Sequence, residues 1–245
     1  MPKVLSDKKY GNTRIGEVYT TNEWYELVVI DGSYKKNYCT VKIGEYTEVV
    51  QSQRLKLGNI ETPYHPRVCG YGYNAEGEYS SKTHPKLYTT WKGMLERSYS
   101  EGVHKRQPNY RNVTVHKDWH NLQTFGKWFE ENYVEGYQLD KDLLSVGDNK
   151  IYSADTCVFI PMHLNLFLAH KKPKASPLPL GVSPGKNKKR FKASIRSRGK
   201  AKQIGTFDTV EEASQAYQKA RAEEAELLKE EYKDILPQKA LDAIK

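Results

Sequence analysis

Arg190-Phe191-Lys192-Ala193-Ser194-Ile195-Arg196 alternates polar and apolar residues with a period of two. A strand sends successive side chains to opposite faces. Phe191, Ala193 and Ile195 are therefore expected against a core, with Arg190, Lys192, Ser194 and Arg196 sharing the other face. Ser197-Arg198-Gly199-Lys200 reads as a turn, and Ala201 to Thr206 as the returning strand. The ribbon is expected to carry a basic comb, to which Lys188, Lys189, Arg198, Lys200 and Lys202 also belong. The major groove of DNA is wide enough to admit such a ribbon.

The surrounding composition points the same way. From Thr156 to Phe207 there is no Asp and no Glu, while nine Lys and three Arg fall in that window. Acids resume at Asp208, Glu211 and Glu212. A long window of one charge sign is the electrostatic footprint of a phosphate-backbone binder. A solvated linker shares the composition but not the period-two pattern. After the ribbon, Asp208 or Thr209 suits a helix N-cap, with Glu211 and Glu212 in the first turn. Val210, Ala213, Ala216, Tyr217 and Ala220 then recur at helical spacing, and their small side chains let a helix lie close on a sheet.

Several motifs in this region occur in a telling order. They are Leu180-Gly181-Val182-Ser183, Arg190 to Ile195, Gln203-Ile204-Gly205-Thr206-Phe207-Asp208-Thr209, and Glu211-Glu212-Ala213-Ser214-Gln215-Ala216-Tyr217. Together they resemble the APETALA2-type DNA-binding domain of plants, versions of which occur in bacteriophage nucleases and integrases. The resemblance covers roughly residues 178–232. It implies a three-stranded sheet read into the major groove of double-stranded DNA and backed by one helix. The tryptophans that many plant members place on the DNA face are missing here.

The chain has 245 residues, room for two or three small domains. Its net charge of +9 favours a polyanionic partner. Hydrophobic residues make up 38%, which suits several small modules better than one large core. No apolar run approaches the roughly 20 residues of a membrane span. The start Met1-Pro2-Lys3 does not read as a secretion signal, so no membrane and a cytoplasmic location are expected. Cys39, Cys69 and Cys157 form no CxxC pair, which argues against a Cys-ligated zinc site.

Residues 1–80 read as β-rich. Glu17 to Tyr19, Tyr25 to Ile30, Asn37 to Ile43 and Glu48 to Leu57 have strand composition, with a turn at Asp31-Gly32-Ser33. A small antiparallel sheet or open barrel is expected. Tyr34, Lys35, Lys36, Tyr38 and Lys42 mix aromatic and basic character, a combination that contacts nucleic acid or merely covers a sheet. Val68 to Gly77 reads as a loop-rich connector. Tyr88, Trp91, Met94 and Leu95 then share one face of a helix over about 86–98. Asn112 to His116 suits a short strand. Trp119, Leu122, Phe125, Trp128, Phe129 and Tyr133 mark an aromatic amphipathic helix whose rings are core. Tyr137 to Leu143 reads as a strand, followed by a turn through Gly147-Asp148-Asn149. A second strand runs from Ile151 to Ile160, and a helix opens at Pro161.

The helix of Trp91, Met94 and Arg97 is one part of a second resemblance. The helix of Trp119, Phe125 and Trp128, the strand Leu139-Asp140-Lys141-Asp142, and Tyr152-Ser153 with Cys157 and Asn165 complete it. Over about 85–168 these residues resemble the HNH nuclease core, the ββα-metal fold, in the form found in phage homing-type endonucleases. Pairing that core with a C-terminal APETALA2-type domain is an arrangement known in phage proteins. The resemblance implies one divalent metal between strand and helix, with Asp140 at the strand ligand position and Asn165 at the helix ligand position. Both are oxygen donors and suit Mg²⁺ or Mn²⁺. Thr156 falls where the family has its middle Asn. Lys141 stands where the family has its general-base His. Asp142, His163, and one of His116 and His120 are the alternatives for the base. Lys141 would otherwise hold the phosphate as a point charge.

The expected class is a multidomain α+β chain. Residues 1–80 form a small β-sheet domain and 84–170 an HNH-like ββα-metal core with flanking helices. Residues 171–179 are a basic, Pro-rich linker, 180–236 the three-stranded sheet with its helix, and 237–245 a tail. The expected function is DNA binding with metal-dependent DNA cleavage, in a protein of phage or mobile-element origin. A catalytically inactive HNH-derived DNA-binding protein or regulator is the alternative.

Overall fold

In the first fifty residues β-branched and aromatic side chains alternate with polar ones, and the computed structural model pairs these runs into sheets. The structure describes residues 9–10, 13–22, 24–32, 37–145, 150–169, 177–186 and 189–245. The chain is a mixed α and β protein with several sheets, 37% helical and 26% strand. Among the described residues no helix is long and apolar enough to cross a membrane. It divides into two compact units, 1–111 with 117–127, and 112–116 with 128–245. The segment expected as one core, 84–170, is therefore shared between the two.

The first unit begins with β1 (Lys9–Tyr10), β2 (Thr13–Arg14), β3 (Val18–Thr20), β4 (Glu26–Gly32), β5 (Tyr38–Ile43) and β6 (Tyr46–Gln51). Strands β3 to β6 form one antiparallel sheet in chain order. Its inner face carries Leu27, Val29, Cys39, Val41 and Val50. The strand expected to run to Leu57 stops at Gln51. There Ser52-Gln53-Arg54-Leu55-Lys56 winds into α1 (Ser52–Lys56), which closes the sheet's core with Leu55. Straight-chain residues lose little rotamer freedom in a helix, and this run has no β-branched residue to hold it extended. Asp31 and Gly32, expected as a turn, belong to β4. Ser33, Tyr34, Lys35 and Lys36 lie outside the described residues.

Next come α2 (Pro85–Tyr99) and α3 (Glu101–Arg106). Pro85 occupies the first turn of α2, where its missing N–H costs nothing. Leu87, Trp91, Met94 and Leu95 form the buried stripe, and Trp91 Nε1 donates to the Trp119 carbonyl at 2.8 Å. Tyr88, expected in that stripe, is only half-buried. The connector before α2 is clamped by one amide. Gln123 Nε2 donates to the carbonyls of Asn74 and Tyr79, and its Oε1 accepts from Tyr79 N.

In the second unit β7 (Thr114–Val115) precedes α4 (Leu122–Asn132), a helix that crosses the unit boundary. Then follow β8 (Gln138–Asp140), β9 (Ile151–Tyr152), β10 (Val158–Ile160) and α5 (Met162–Leu168). β7 pairs in parallel with β9, and β8 antiparallel with β10, setting Asp140 opposite Val158 and Gln138 opposite Ile160. The long strand expected from Ile151 to Ile160 is broken at Ser153–Thr156. Thr156 Oγ1 donates to the Ile151 carbonyl at 2.6 Å and accepts from Ser153 N at 3.2 Å, which closes a turn there. Pro161 is the N-cap of α5 rather than its first residue. The expected turn at 147–149 and the linker residues 171–176 lie outside the described residues.

The chain ends with β11 (Val182–Pro184), β12 (Phe191–Ser197), β13 (Lys200–Phe207), α6 (Val210–Tyr232) and α7 (Gln238–Ala243). The sheet order is β11-β12-β13, all antiparallel. Thr209 caps α6 reciprocally: its Oγ1 accepts from Glu212 N at 3.2 Å while Glu212 Oε2 accepts from Thr209 N at 3.3 Å. Ala213 is wholly buried against Val182 and Ala193. At Gly181, with φ +77°, a Cβ would overlap the Tyr217 ring, so only glycine fits.

The far half of α6 does not trail into solvent. Ala225, Leu228 and Tyr232 share a core with Val158 and Ile160 of β10, Leu164 and Phe167 of α5, and Ala240, Leu241 and Ile244. The segment 237–245, expected as a tail, is thus a packed helix. Its apolar residues at 240, 241 and 244 have helical spacing, and Pro237 caps it.

Candidate functional site

Directly opposed residues of an antiparallel pair share a face. In the C-terminal sheet Ala193 and Ile195 are buried toward α6, so Lys192, Ser194 and Arg196 point to the outer face. Ser183 and Thr206 flank Lys192, Gln203 lies opposite Ser194, and Ala201 opposite Arg196. These positions include no carboxylate. Among the described residues no acidic group pairs with Lys192 or Arg196.

The β13 lysines are placed otherwise than expected. The register slips between Ala193 and Ser194, so that Ala193 faces Gly205 while Ser194 faces Gln203. Ile204 is the extra residue of this bulge, and the phase of β13 reverses there. Lys202 is opposite Ile195 and Lys200 opposite Ser197, both on the side that carries α6. Lys202 lines a recess there with Glu223 and Glu224. Arg198, at φ +48° in the hairpin turn, donates to Glu231 Oε2 at 2.6 Å, and Ser197 Oγ donates to Glu224 Oε1 at 2.6 Å. Arg198, Lys200 and Lys202 therefore do not share a face with Arg196. Arg190 is exposed at the edge, its Nε 2.7 Å from Asp208 Oδ1 and its Nη2 donating to the Thr206 carbonyl. Lys186 and Lys189 are exposed in the loop between β11 and β12, and Lys188 lies outside the described residues. Gln203 and Thr206 join the outer face although sequence reasoning did not single them out. Thr206 follows from its pairing with Lys192, whereas only the bulge reveals Gln203.

The second place of interest is the corner after β8. Asp140 is 9% exposed, and its Oδ1 accepts from Asp142 N at 3.0 Å and Leu143 N at 2.8 Å. Burial pushes its carboxyl above the ordinary carboxylate range, although the two backbone N–H groups pull the other way. Lys141 is 5% exposed, and its Nζ donates to Asp142 Oδ1 at 2.6 Å and lies 5.8 Å from the centre of the Tyr152 ring. Ser145 Oγ donates to the Lys141 carbonyl. Burial pushes the Cys157 thiol up to about 12.

The alternatives for a general base have partners of their own. Asp142 holds Lys141. His163 Nε2 is 2.8 Å from the Tyr232 hydroxyl. His120, in the first unit, bonds the Tyr99 hydroxyl through Nε2 at 3.2 Å. His116 is exposed beside β7, and its backbone N donates to the Tyr152 carbonyl. Asn165 is half-buried on α5, and among the described residues no group hydrogen-bonds its side-chain amide. Asp140 and Asn165 are hard oxygen donors of the kind Mg²⁺ and Mn²⁺ take, usually with several waters retained. Among the described residues no group of three or more His, Cys, Asp and Glu gathers as a metal cluster.

No protein-family model, curated protein or solved structure matches the chain.

Proposed function

We propose that this protein binds double-stranded DNA through the outer face of the β11-β12-β13 sheet. The observation that carries the reading is the carboxylate-free face of Lys192, Ser194, Arg196, Gln203 and Thr206, whose two cations have no acidic partner among the described residues. Lys186 and Lys189 add charge at its edge. Lys192 and Arg196, with no acidic partner among the described residues, are available to phosphates, and the counterion release on that contact drives association. Neutral amide and hydroxyl groups between them supply hydrogen bonds to phosphates or base edges. The order of sheet and capped helix, and the motifs that carry the APETALA2 resemblance, support the same reading. The test is anisotropy titration of labelled duplex at several salt concentrations. Nanomolar-to-micromolar binding with a steep salt slope is expected, and no binding at low ionic strength would remove the reading.

A second reading, metal-dependent DNA cleavage of the phage HNH homing type, has its own support in Asp140 and Asn165. They stand on β8 and α5, the two elements the resemblance assigns to metal ligands. Mg²⁺ or Mn²⁺ bound there would stabilise charge on the phosphate and the leaving oxygen. Lys141 weighs against cleavage. An ammonium that donates to Asp142 has no lone pair with which to take a proton from water, and His163 is already bonded to Tyr232. Non-cleaving DNA binding is therefore the first reading. Plasmid nicking by the parent, lost in Asp140→Ala and Asn165→Ala, would reverse that order.

A further inference from the structure

In the first unit Val68-Cys69-Gly70-Tyr71 makes a tight turn. Cys69 and Gly70 both have positive φ, 54° and 75°, and Tyr71 N donates to the Val68 carbonyl at 3.0 Å. Two consecutive left-handed residues define the mirror-type hairpin turn, which non-glycine residues such as Cys69 enter at a cost. The turn is pinned from below: a Cβ at Gly72 would overlap Leu95 and crowd the Trp91 ring of α2. Backbone held in a costly conformation on a rigid support presents one side chain, Tyr71. That ring is stacked on Tyr99 with centroids 3.9 Å apart and planes 18° from parallel. His120 stands edge-on to Tyr99 at 5.8 Å and near Tyr71 at 5.4 Å, with its Nε2 bonded to the Tyr99 hydroxyl.

These rings do not behave as core. Tyr79, which does, is 4% exposed, whereas Tyr71 is 47% exposed while held in a stack. The chain between Tyr99 and His120 is basic. Lys105, Arg106, Arg111 and Lys117 are all exposed there, and in the first unit's part of that segment only Glu101 and Asp118 oppose them.

We propose that Tyr71, backed by Tyr99 and His120, is a stacking platform for an unpaired base of a nucleic-acid strand, with these cations taking the strand's phosphates. Base-on-aromatic stacking tolerates any sequence and needs an exposed, preorganised ring, which Tyr71 supplies, and the basic segment that joins Tyr99 to His120 offers cations in the same unit. The proposal uses the nucleic-acid chemistry of the reading above but a different surface, in a different unit.

The experiment uses the full chain and three probes: a paired duplex, the same duplex with one unpaired 2-aminopurine, and oligo-dT. The parent is expected to quench 2-aminopurine fluorescence and to favour the unpaired-base duplex. Tyr71→Ala should lose both effects and about tenfold in oligo-dT affinity, with paired-duplex affinity unchanged. Tyr71→Phe, which keeps the ring, should behave as the parent. No quenching by the parent, or equal loss in Tyr71→Ala and Tyr71→Phe, would overturn the platform. The two proposals fail separately. Tyr71-dependent strand binding without duplex binding keeps the platform and removes the docking sheet. Duplex binding indifferent to Tyr71 on every probe does the reverse.

Discussion

Arg196 and Lys141 are both cations beside β-strands, and the chain treats them in opposite ways. Arg196 stands exposed on the outer sheet face, and among the described residues no acidic group pairs with it. Lys141 is buried at the corner after β8 with its Nζ 2.6 Å from Asp142. A binding face must keep its charges unsatisfied by the protein itself, because a partner can gain only interactions that remain to be made. A structural corner must satisfy them, because an unpaired buried charge is costly. That criterion is the ground for proposing the C-terminal sheet as the polyanion site. At the corner that carries the HNH resemblance, Lys141 and Asp140 are bonded within their own loop.

The contrast can be broken most severely through the sheet's support. Gly181→Val places a branched side chain at φ +77° against the Tyr217 ring. It should cost about 3 kcal/mol or more from overpacking and backbone strain. Thermal denaturation would read this directly, and an unshifted melting temperature would mean that the sheet does not rest on α6 as described. Next in size is Lys141→Ala, expected to cost about 2 kcal/mol through the packing removed from around its buried stem. Lys141→Met should be near neutral, because Asp142 is mostly exposed and can be hydrated. Neither change should alter duplex affinity or its salt slope. If Lys141→Met abolishes cleavage by an otherwise active parent, Lys141 holds phosphate and the corner is a site after all.

A smaller change sharpens the other side. Lys192→Ala with Arg196→Ala should leave melting unchanged and make the plot of log affinity against log salt shallower by about 1.8, roughly 0.9 for each phosphate no longer neutralised. Lys200→Ala with Lys202→Ala should alter that slope less, since both side chains lie on the helix side of the sheet. Equal slopes for the two double variants would count against the register argument.

That register is also where sequence reading reached its limit. Period-two alternation located β12 and its buried residues Ala193 and Ile195 correctly. The Ala stripe and the Thr209 cap likewise located α6. Strict alternation back from Thr206 would have put Ile204, Lys202 and Lys200 on the outer face. A single extra residue in the ladder reverses that assignment, and nothing in Gln203-Ile204-Gly205 marks a bulge except the glycine beside it. The packing of 237–245 was missed for another reason. Its few apolar residues gain their meaning from β10 and α5, which are distant in sequence, as well as from the far half of α6 just before it. At the corner, residue types suggest a site, but Asp140 and Asp142 are occupied by neighbours one to three residues away, a side-chain-to-backbone turn that the same residues also suit. Only the contact of His163 with Tyr232 is tertiary and leaves no local trace.

The smallest effect concerns Asp140. Burial holds its carboxyl above the ordinary value near 3.8. The folded chain therefore binds this proton more tightly than the unfolded chain does. Between 3.8 and the raised value folding takes up a proton, so this group's contribution to stability falls as pH rises through that window and stays flat above it. Asn at this position keeps a side-chain oxygen for the N–H groups of Asp142 and Leu143 and has nothing to titrate. Asp140→Asn should therefore remove the downward step and be slightly more stable than the parent at neutral pH, as read by urea denaturation across about pH 3 to 8. Added Mg²⁺ or Mn²⁺ separates the two readings of the corner, since an ion bound at Asp140 would raise the parent's stability by mass action and not the variant's. A metal-induced rise confined to the parent would show that the buried carboxylate is kept for a ligand. Equal curves with and without metal would leave it as the acceptor that closes its own turn.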